Sequence, residues 1–407
     1  MKTASDPALR NTTVWFMAFA AALGTATIYP LQPAIADVGA SLDISLSEVG
    51  LALAFGPLGY LVGLAVLVPL VDRFPPRYVL AAQFGMLACA LVANAAAGTT
   101  WLLGLTVGLV GAGSAVGAQL SSVAGRFAAT SRRATVLGIV TAGISAGIIG
   151  GRIVGGWLTE VFGWRGTLLV FALLCVAFSL FALSVLPGAP GNITTGYLAV
   201  LRGMPGLYLR FPALRLAAGR GALWFFAFCA VWSGIAVALA QPPFSYSAEQ
   251  IGLFAFAGLL GMVATRVAGS WTDRVGARVV ILVGLVIAGL SAAMLGWCLS
   301  NTVATLIGLA LFDAGLFAAQ VANQSTVLAI EPAAPARFNS AYMVVYFIGG
   351  SLGTAFGAAA VGWVGWPGTA AVTVAMIAVA MVLTAVPAKR DVSETAAQSS
   401  LMPHGEP

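Results

Sequence analysis

Of 407 residues, 60% are hydrophobic and only 8% are charged, with a mean hydropathy of +0.98. A soluble domain carries about 25% charge, so water is excluded as the main solvent of this chain. The net charge of +6 is compatible with an anionic partner such as nucleic acid, but the arginines fall almost entirely in loops on one side of the apolar runs, and that placement accounts for them without nucleic acid.

The chain starts with a polar segment, Met1 to Asn11. The apolar run that follows is too long for a signal-peptide core and lacks a small-residue cleavage site, so it reads as a retained span. A helix crossing the hydrocarbon needs about 20 apolar residues. Twelve runs qualify: roughly 14–36, 48–71, 78–98, 101–125, 135–158, 166–186, 221–242, 249–271, 279–299, 303–328, 339–361 and 367–386. The alternation of a β-barrel is not visible. The expected fold is therefore an all-α membrane protein of twelve transmembrane helices.

With the N-terminus placed in the cytoplasm, the cytoplasmic side receives Lys2, Arg10, Arg73, Arg77, Arg132, Arg133, Arg202, Arg210, Arg215, Arg220, Arg274, Arg278, Arg337, Lys389 and Arg390. The other side receives Arg165. This asymmetry predicts cytoplasmic termini, and the expected location is a bacterial inner membrane. The break at 187–220 holds four prolines and several arginines. It separates an N-terminal six-helix bundle, 1–186, from a C-terminal one, 221–388, and its second part is suited to lie along an anionic leaflet. The tail 389–407 is polar and holds the sole histidine, His404. Cys89, Cys175, Cys229 and Cys298 sit inside apolar runs without metal-ligand spacing and read as small core residues; no metal or cofactor is expected.

One charged phrase occurs twice, at matching places in the two halves: Val68-Pro-Leu-Val-Asp72-Arg73-Phe-Pro75-Pro-Arg77 and Gly269-Ser-Trp-Thr-Asp273-Arg274-Val-Gly276-Ala-Arg278. Such a repeat marks a duplicated unit, and in a chain this apolar the unit is half of a transporter. The phrase resembles the G-x-x-x-D-R-x-G-x-R signature of the major facilitator superfamily. The second copy matches it closely, while the first has Val68 and Pro75 at the glycine positions. In the fifth helix, Gly147, Gly151, Arg152, Gly155 and Gly156 resemble that superfamily's antiporter signature G-x-x-x-G-P-x-x-G-G, with Arg152 in place of proline. The resemblance covers nearly the whole chain and is to the drug–proton antiporter and sugar-efflux-like exporters. It implies two pseudo-symmetric bundles with a cavity lined by helices 1, 4, 7 and 10, and a gate at Asp72, Arg73, Arg77, Asp273, Arg274 and Arg278. The fuller glycine set of the second copy makes Asp273 the expected closer latch. Val107 stands where proton antiporters often carry an arginine in helix 4.

An ionisable group at membrane depth marks a functional site by default. Asp313 lies near the middle of the tenth helix. Removal from water disfavours the charged form of a carboxyl group, which suits a proton carrier; contact with a cationic substrate and a purely structural hydrogen bond are the competing readings. Arg152 keeps its proton in practice and needs an anion, carbonyls or water. It reads either as a partner of Asp313 or of an anionic substrate, or as a cap on helix-end carbonyls. Arg126 and Arg266 read as snorkelling side chains. Candidate cavity residues are Tyr29, Gln32, Ser114, Gln119, Trp232, Gln320, Asn323, Gln324, Tyr342 and Tyr346, with Ser121, Ser122 and Ser233 beside them. The helix-5 glycines read as a surface for close approach to helix 8.

The sequence contains neither a phosphate-binding Gly-x-x-x-x-Gly-Lys-Ser/Thr segment nor a nucleophile–base set, so an ATPase or other enzyme is not expected. The expected function is proton-coupled efflux of a small amphipathic compound by alternating access, with protons as the coupling ion and a monomer in the bilayer as the working unit. The alternative is uptake or facilitated passage of a sugar, nucleoside or organic anion.

Overall fold

The structure is a computed structural model and describes residues 9–189, 205–331 and 335–386. Lys2, Arg202, Lys389, Arg390, His404 and the whole tail 389–407 lie outside the described residues. Among the described residues, nine helices are long and apolar enough to cross a membrane. Two of these, Arg133–Val185 and Pro335–Ala385, are pairs joined at a bend. Counting each as two and adding the broken first helix gives twelve crossings.

The helices are α1 (Asn11–Ala26), α2 (Leu46–Asp72), α3 (Pro76–Ala95), α4 (Thr100–Phe127), and α5 and α6, the limbs of Arg133–Val185 before and after Gly163. The second half comprises α7 (Pro212–Ala240), α8 (Ala248–Val275), α9 (Ala277–Cys298), α10 (Thr302–Leu328), and α11 and α12, the limbs of Pro335–Ala385 about Gly365.

The first crossing is not the continuous run expected over 14–36. Its helix stops at Ala26, turns occupy 27–34, and a short helix, Ile35–Leu42, follows. Pro30 and Pro33 are the cause: each lacks an N–H donor and disfavours helix in the residue before it. Irregular backbone at membrane depth is tolerated where it lines a cavity, and Tyr29 and Gln32 sit on this segment.

The halves repeat one another in detail. Ser45 and Glu48 form a capping box at the start of α2, and Ser247 and Gln250 form another at the start of α8. Gly163 and Gly365 both have φ of 69°, a backbone conformation that suits glycine, and each begins a Gly-Trp-x-Gly-Thr phrase. These glycines turn α5 directly into α6 and α11 into α12.

Packing repeats as well. An added Cβ at Gly147 of α5 would lie 2.3 Å from the Ala22 carbonyl oxygen of α1, and one at Gly353 of α11 would lie 2.2 Å from the Phe226 carbonyl oxygen of α7. Small residues let these backbones touch.

The contacts that join the bundles gather at the arginine-poor end and at mid-depth. Gly50 of α2 abuts Ala358 of α11, and Gly252 of α8 abuts the Arg152 carbonyl of α5. The Ser351 hydroxyl of α11 donates to the Ala54 carbonyl of α2.

The described part of the linker region packs on the C-terminal bundle. Residues 205–210 are helical; Leu207 is buried with Leu214, Val327, Phe338 and Tyr342, and the Tyr208 hydroxyl donates to the Ala341 carbonyl. Apolar contact with the C-terminal bundle holds this segment. α7 begins at Pro212, so Arg215 and Arg220 belong to a helix rather than to a loop.

Candidate functional site

A cavity of about 220 Å³ lies between the bundles. Its N-terminal wall carries Tyr29 and Gln32 from the broken first crossing, Pro57 and Tyr60 from α2, Ser114 from α4 and Arg152 from α5. Its C-terminal wall is aromatic: Phe225, Phe228 and Trp232 from α7, Phe317 from α10, and Tyr346 and Phe347 from α11. Phe225, Phe228 and Trp232 are three and four residues apart, which places them on one face of α7. Phe225 stacks on Tyr346 with centroids 4.0 Å apart, and Tyr60 meets Phe347 across the bundles at 4.9 Å.

Arg152 is the charged residue in this lining, and it is buried. Its Nε donates to the Gln32 side-chain oxygen at 2.6 Å and its Nη1 to the Ile148 carbonyl at 3.2 Å. The guanidinium lies over two ring faces, 4.4 Å from the Tyr29 centroid and 4.5 Å from that of Trp232. A cation over an aromatic face gains about 0.5–2 kcal/mol, more when desolvated, which offsets part of the cost of burying it.

Asp313 is buried on α10 and accepts a hydrogen bond from the Trp232 indole N–H at 3.1 Å. The sequence left open a direct Asp313–Arg152 pair. The structure places Trp232 between them, its edge on the acid and its face on the cation. A void of about 30 Å³ adjoins both charges behind the indole, lined also by Ser145, Gly258, Met262 and Thr265. A water molecule needs about 10–15 Å³ of such space, so the void has room for one beside the acid.

Several expected cavity residues lie elsewhere. Gln119 is buried and donates to the Leu67 carbonyl at 2.6 Å, pinning α4 to α2. Asn323 accepts from Arg220 and donates to the Ala217 carbonyl, tying α10 to α7. Gln324 donates to Asn339 of α11. Gln320 accepts from the Tyr342 hydroxyl at 2.6 Å beside a small side pocket, and Tyr342 is fully buried. The face shared by Asp313, Gln320 and Gln324 therefore serves helix-to-helix bonding more than the main cavity, to α7 at Asp313 and to α11 at Gln320 and Gln324. Ser233 donates to Thr354, and Ser121 to the Gly117 carbonyl.

Tyr60, Phe225, Phe228, Phe317 and Phe347 were missed by sequence reasoning. The spacing on α7 was an available signal; nothing local distinguishes Tyr60 from a lipid-facing tyrosine.

The Major Facilitator Superfamily model matches residues 14–240 and, in a second match, 221–403. The chain belongs to this superfamily. Its two matches agree with the repeated halves of the fold. An uncharacterized transporter of Escherichia coli, YgaY, is 29% identical over 89% of this chain and 92% of its own length. A probable transporter of Streptomyces coelicolor is 32% identical over 91% of this chain and 86% of its own. Among solved structures, a bacterial homolog of the lysosomal transporter Spinster, inward-facing and occupied, superposes with a TM-score of 0.76 at 14% identity, covering 94% of this chain and 97% of that one. The nucleoside transporter NupG superposes at 0.73 and 13% identity, covering 92% and 98%. This protein is thus a multi-pass membrane transporter of the superfamily.

The superfamily's repeated loop phrase occupies equivalent helix ends in the two halves. In the first copy, Asp72 accepts from Ser122 of α4 at 2.9 Å, Arg126 donates to the adjacent Val71 carbonyl, and Arg77 lies over Tyr78. In the second, Asp273 and Arg274 are exposed and Arg278 donates to the Ala385 carbonyl at the end of α12. In this conformation Asp72 is engaged within its own bundle. Arg126 caps carbonyls rather than snorkelling, whereas Arg266 is exposed. The helix-5 glycines are also reassigned: Gly147, Gly151 and Gly155 face Ala22, Ala26 and Pro30 of the first crossing, and Gly156 alone of the four meets α8, at Ala248.

Proposed function

We propose that this transporter expels a small amphipathic compound across a bacterial inner membrane in exchange for protons. The observation that carries the proposal is the chemistry of the cavity wall. Aromatic faces dominate it, one cation is stacked among them, and an acid sits directly behind one of the rings. Such a wall suits an apolar or aromatic compound with few polar groups better than it suits a sugar, whose hydroxyls need many hydrogen-bonding partners.

Trp232 supplies the link between proton and cargo. As a carboxylate, Asp313 accepts the indole N–H; once protonated, it is a weaker acceptor. The indole is then released, and with it the face that carries Arg152. Because that face belongs to the C-terminal bundle and Arg152 to the N-terminal one, releasing it shifts the population between conformations. The bundles rock about the mid-depth site as in other two-bundle carriers. With the termini in the cytoplasm, as the arginine asymmetry favours, the contacts at Gly50 and Gly252 close the outer end and this conformation faces inward. A single chain carries the whole cavity, so a monomer suffices.

The test begins with a thermal-stabilisation screen of the full chain against compound libraries, since a ligand that binds the folded state raises its apparent stability. Hits are then followed in proteoliposomes at two pH values. Aromatic amphiphiles whose movement depends on the pH gradient support the reading. Exclusive stabilisation by sugars would contradict it.

Arg152 in the lining favours a second reading, a facilitative carrier for an organic anion. Counterflow of an anion with no pH dependence selects that reading over the first.

A further inference from the structure

A second cavity of similar size, about 230 Å³, lies outside the transport path at the arginine-rich end of the C-terminal bundle. Arg220 of α7 and Arg278 of α9 both line it, with Thr326 of α10 and Thr384 of α12. Among the described residues, no acidic side chain lines it. Arg220 is half-buried and its recorded partners are neutral: Nε donates to the Asn323 side-chain oxygen at 2.5 Å and Nη2 to the Thr326 hydroxyl at 3.1 Å. Arg278 gives Nη2 to the Ala385 carbonyl. A guanidinium withdrawn from water among neutral acceptors lacks compensation for its charge. Arg220, part-buried, and Arg278, exposed at the mouth, face one cavity and form a fork for a phosphate.

The surroundings indicate what carries the phosphate. Val386 lines the cavity and is 48% exposed, and Val279 and Val382, adjacent to Arg278 and one turn before Val386, are 46% and 63% exposed, so an apolar surface adjoins the arginine pocket at the level where helix ends meet headgroups. We infer that this cavity binds the phosphate of an anionic phospholipid, with acyl chains lying along the valines of α9 and α12. Basic pockets between helices at this level are suited to such headgroups. The bound lipid neutralises Arg220 and so supports the Arg220–Asn323 tie between α7 and α10, the two helices that present Trp232 and Asp313. This inference does not depend on the cargo or on proton coupling.

The test titrates the detergent-solubilised full chain with phosphatidylglycerol, phosphatidylcholine or inorganic phosphate and follows thermal stability. Phosphatidylglycerol is expected to stabilise saturably and phosphatidylcholine not. Arg278→Gln is expected to raise the half-saturating phosphatidylglycerol concentration about fivefold, whereas Arg278→Lys keeps most of the affinity. Arg132→Gln removes the same charge from the other bundle and is expected to change nothing. Because the readout is the difference between two lipids on one variant, a general loss of stability in Arg278→Gln does not imitate the result. If inorganic phosphate alone gives the same Arg278-dependent stabilisation, the phosphate site stands and its ligand is soluble. Equal stabilisation by both lipids, or equal losses in Arg278→Gln and Arg132→Gln, overturns the site.

Discussion

Trp232 holds both buried charges, by two different parts of one side chain. Its N–H serves Asp313 and its ring face serves Arg152. These functions separate by mutation. Trp232→Phe keeps an aromatic face and removes the donor. A hydrogen bond to a charged group contributes about 1.5–3 kcal/mol, so a fall of about tenfold or more in pH-driven transport is expected, with the folded protein recovered in normal yield. A rate and pH profile equal to wild type would remove Trp232 from coupling. Arg152→Lys retains charge but loses the planar group that stacks between two rings, so transport is expected to fall and ligand-induced stabilisation to weaken; unchanged stabilisation would detach Arg152 from the cargo site. Asp313 and Arg152 were legible in the sequence because a charge inside an apolar run stands out. Trp232 appeared among the cavity candidates, but its bridging role was not legible. In composition it is no different from Trp297, which is 83% exposed on the outer surface.

At the scale of elements, the glycine series on α5 and α11 set the distance to α1 and α7. An alanine at Gly147 or Gly353 places its Cβ 2.3 or 2.2 Å from a facing carbonyl oxygen, and backbone cannot yield as a flexible side chain does. Overpacking of this kind costs about 1–3 kcal/mol. Gly150→Ala is the control, since no atom lies within 4 Å of its added Cβ. Melting in detergent is expected to show both interface variants destabilised and the control unaffected; three equal melting temperatures would mean the helices separate freely. The spacing of the glycines was readable and gave the small face of the fifth helix. Its partner was not, because a stripe on one helix does not identify which neighbour it meets; that depends on the arrangement of the whole bundle. The bend at Pro30 and Pro33 was likewise available in the residues, but it was masked by an apolar run long enough to read as one span.

For the whole molecule, twofold repetition explains both the fold and its movement. Twelve crossings and two halves were legible from hydropathy and the duplicated charged phrase. The joints at Gly163 and Gly365 were legible only as short gaps between spans, because hydropathy does not reveal that a single glycine with φ of 69° turns one helix directly into the next. The barrier at the arginine-poor end is built from equivalent pieces, the start of α2 against α11 and the start of α8 against α5. A disulfide between Ala54→Cys and Ser351→Cys, with the four native cysteines replaced by alanine, is expected to form in this conformation, stop transport, and release it on reduction. Crosslinked protein that still transports would show that this end need not open. Proton coupling through Asp313 is tested most directly by Asp313→Asn in proteoliposomes, using a compound taken from the stabilisation screen and an imposed pH gradient. The expected result is loss of gradient-driven accumulation with ligand-induced stabilisation retained. Accumulation that still follows the pH gradient as in the wild type would contradict it.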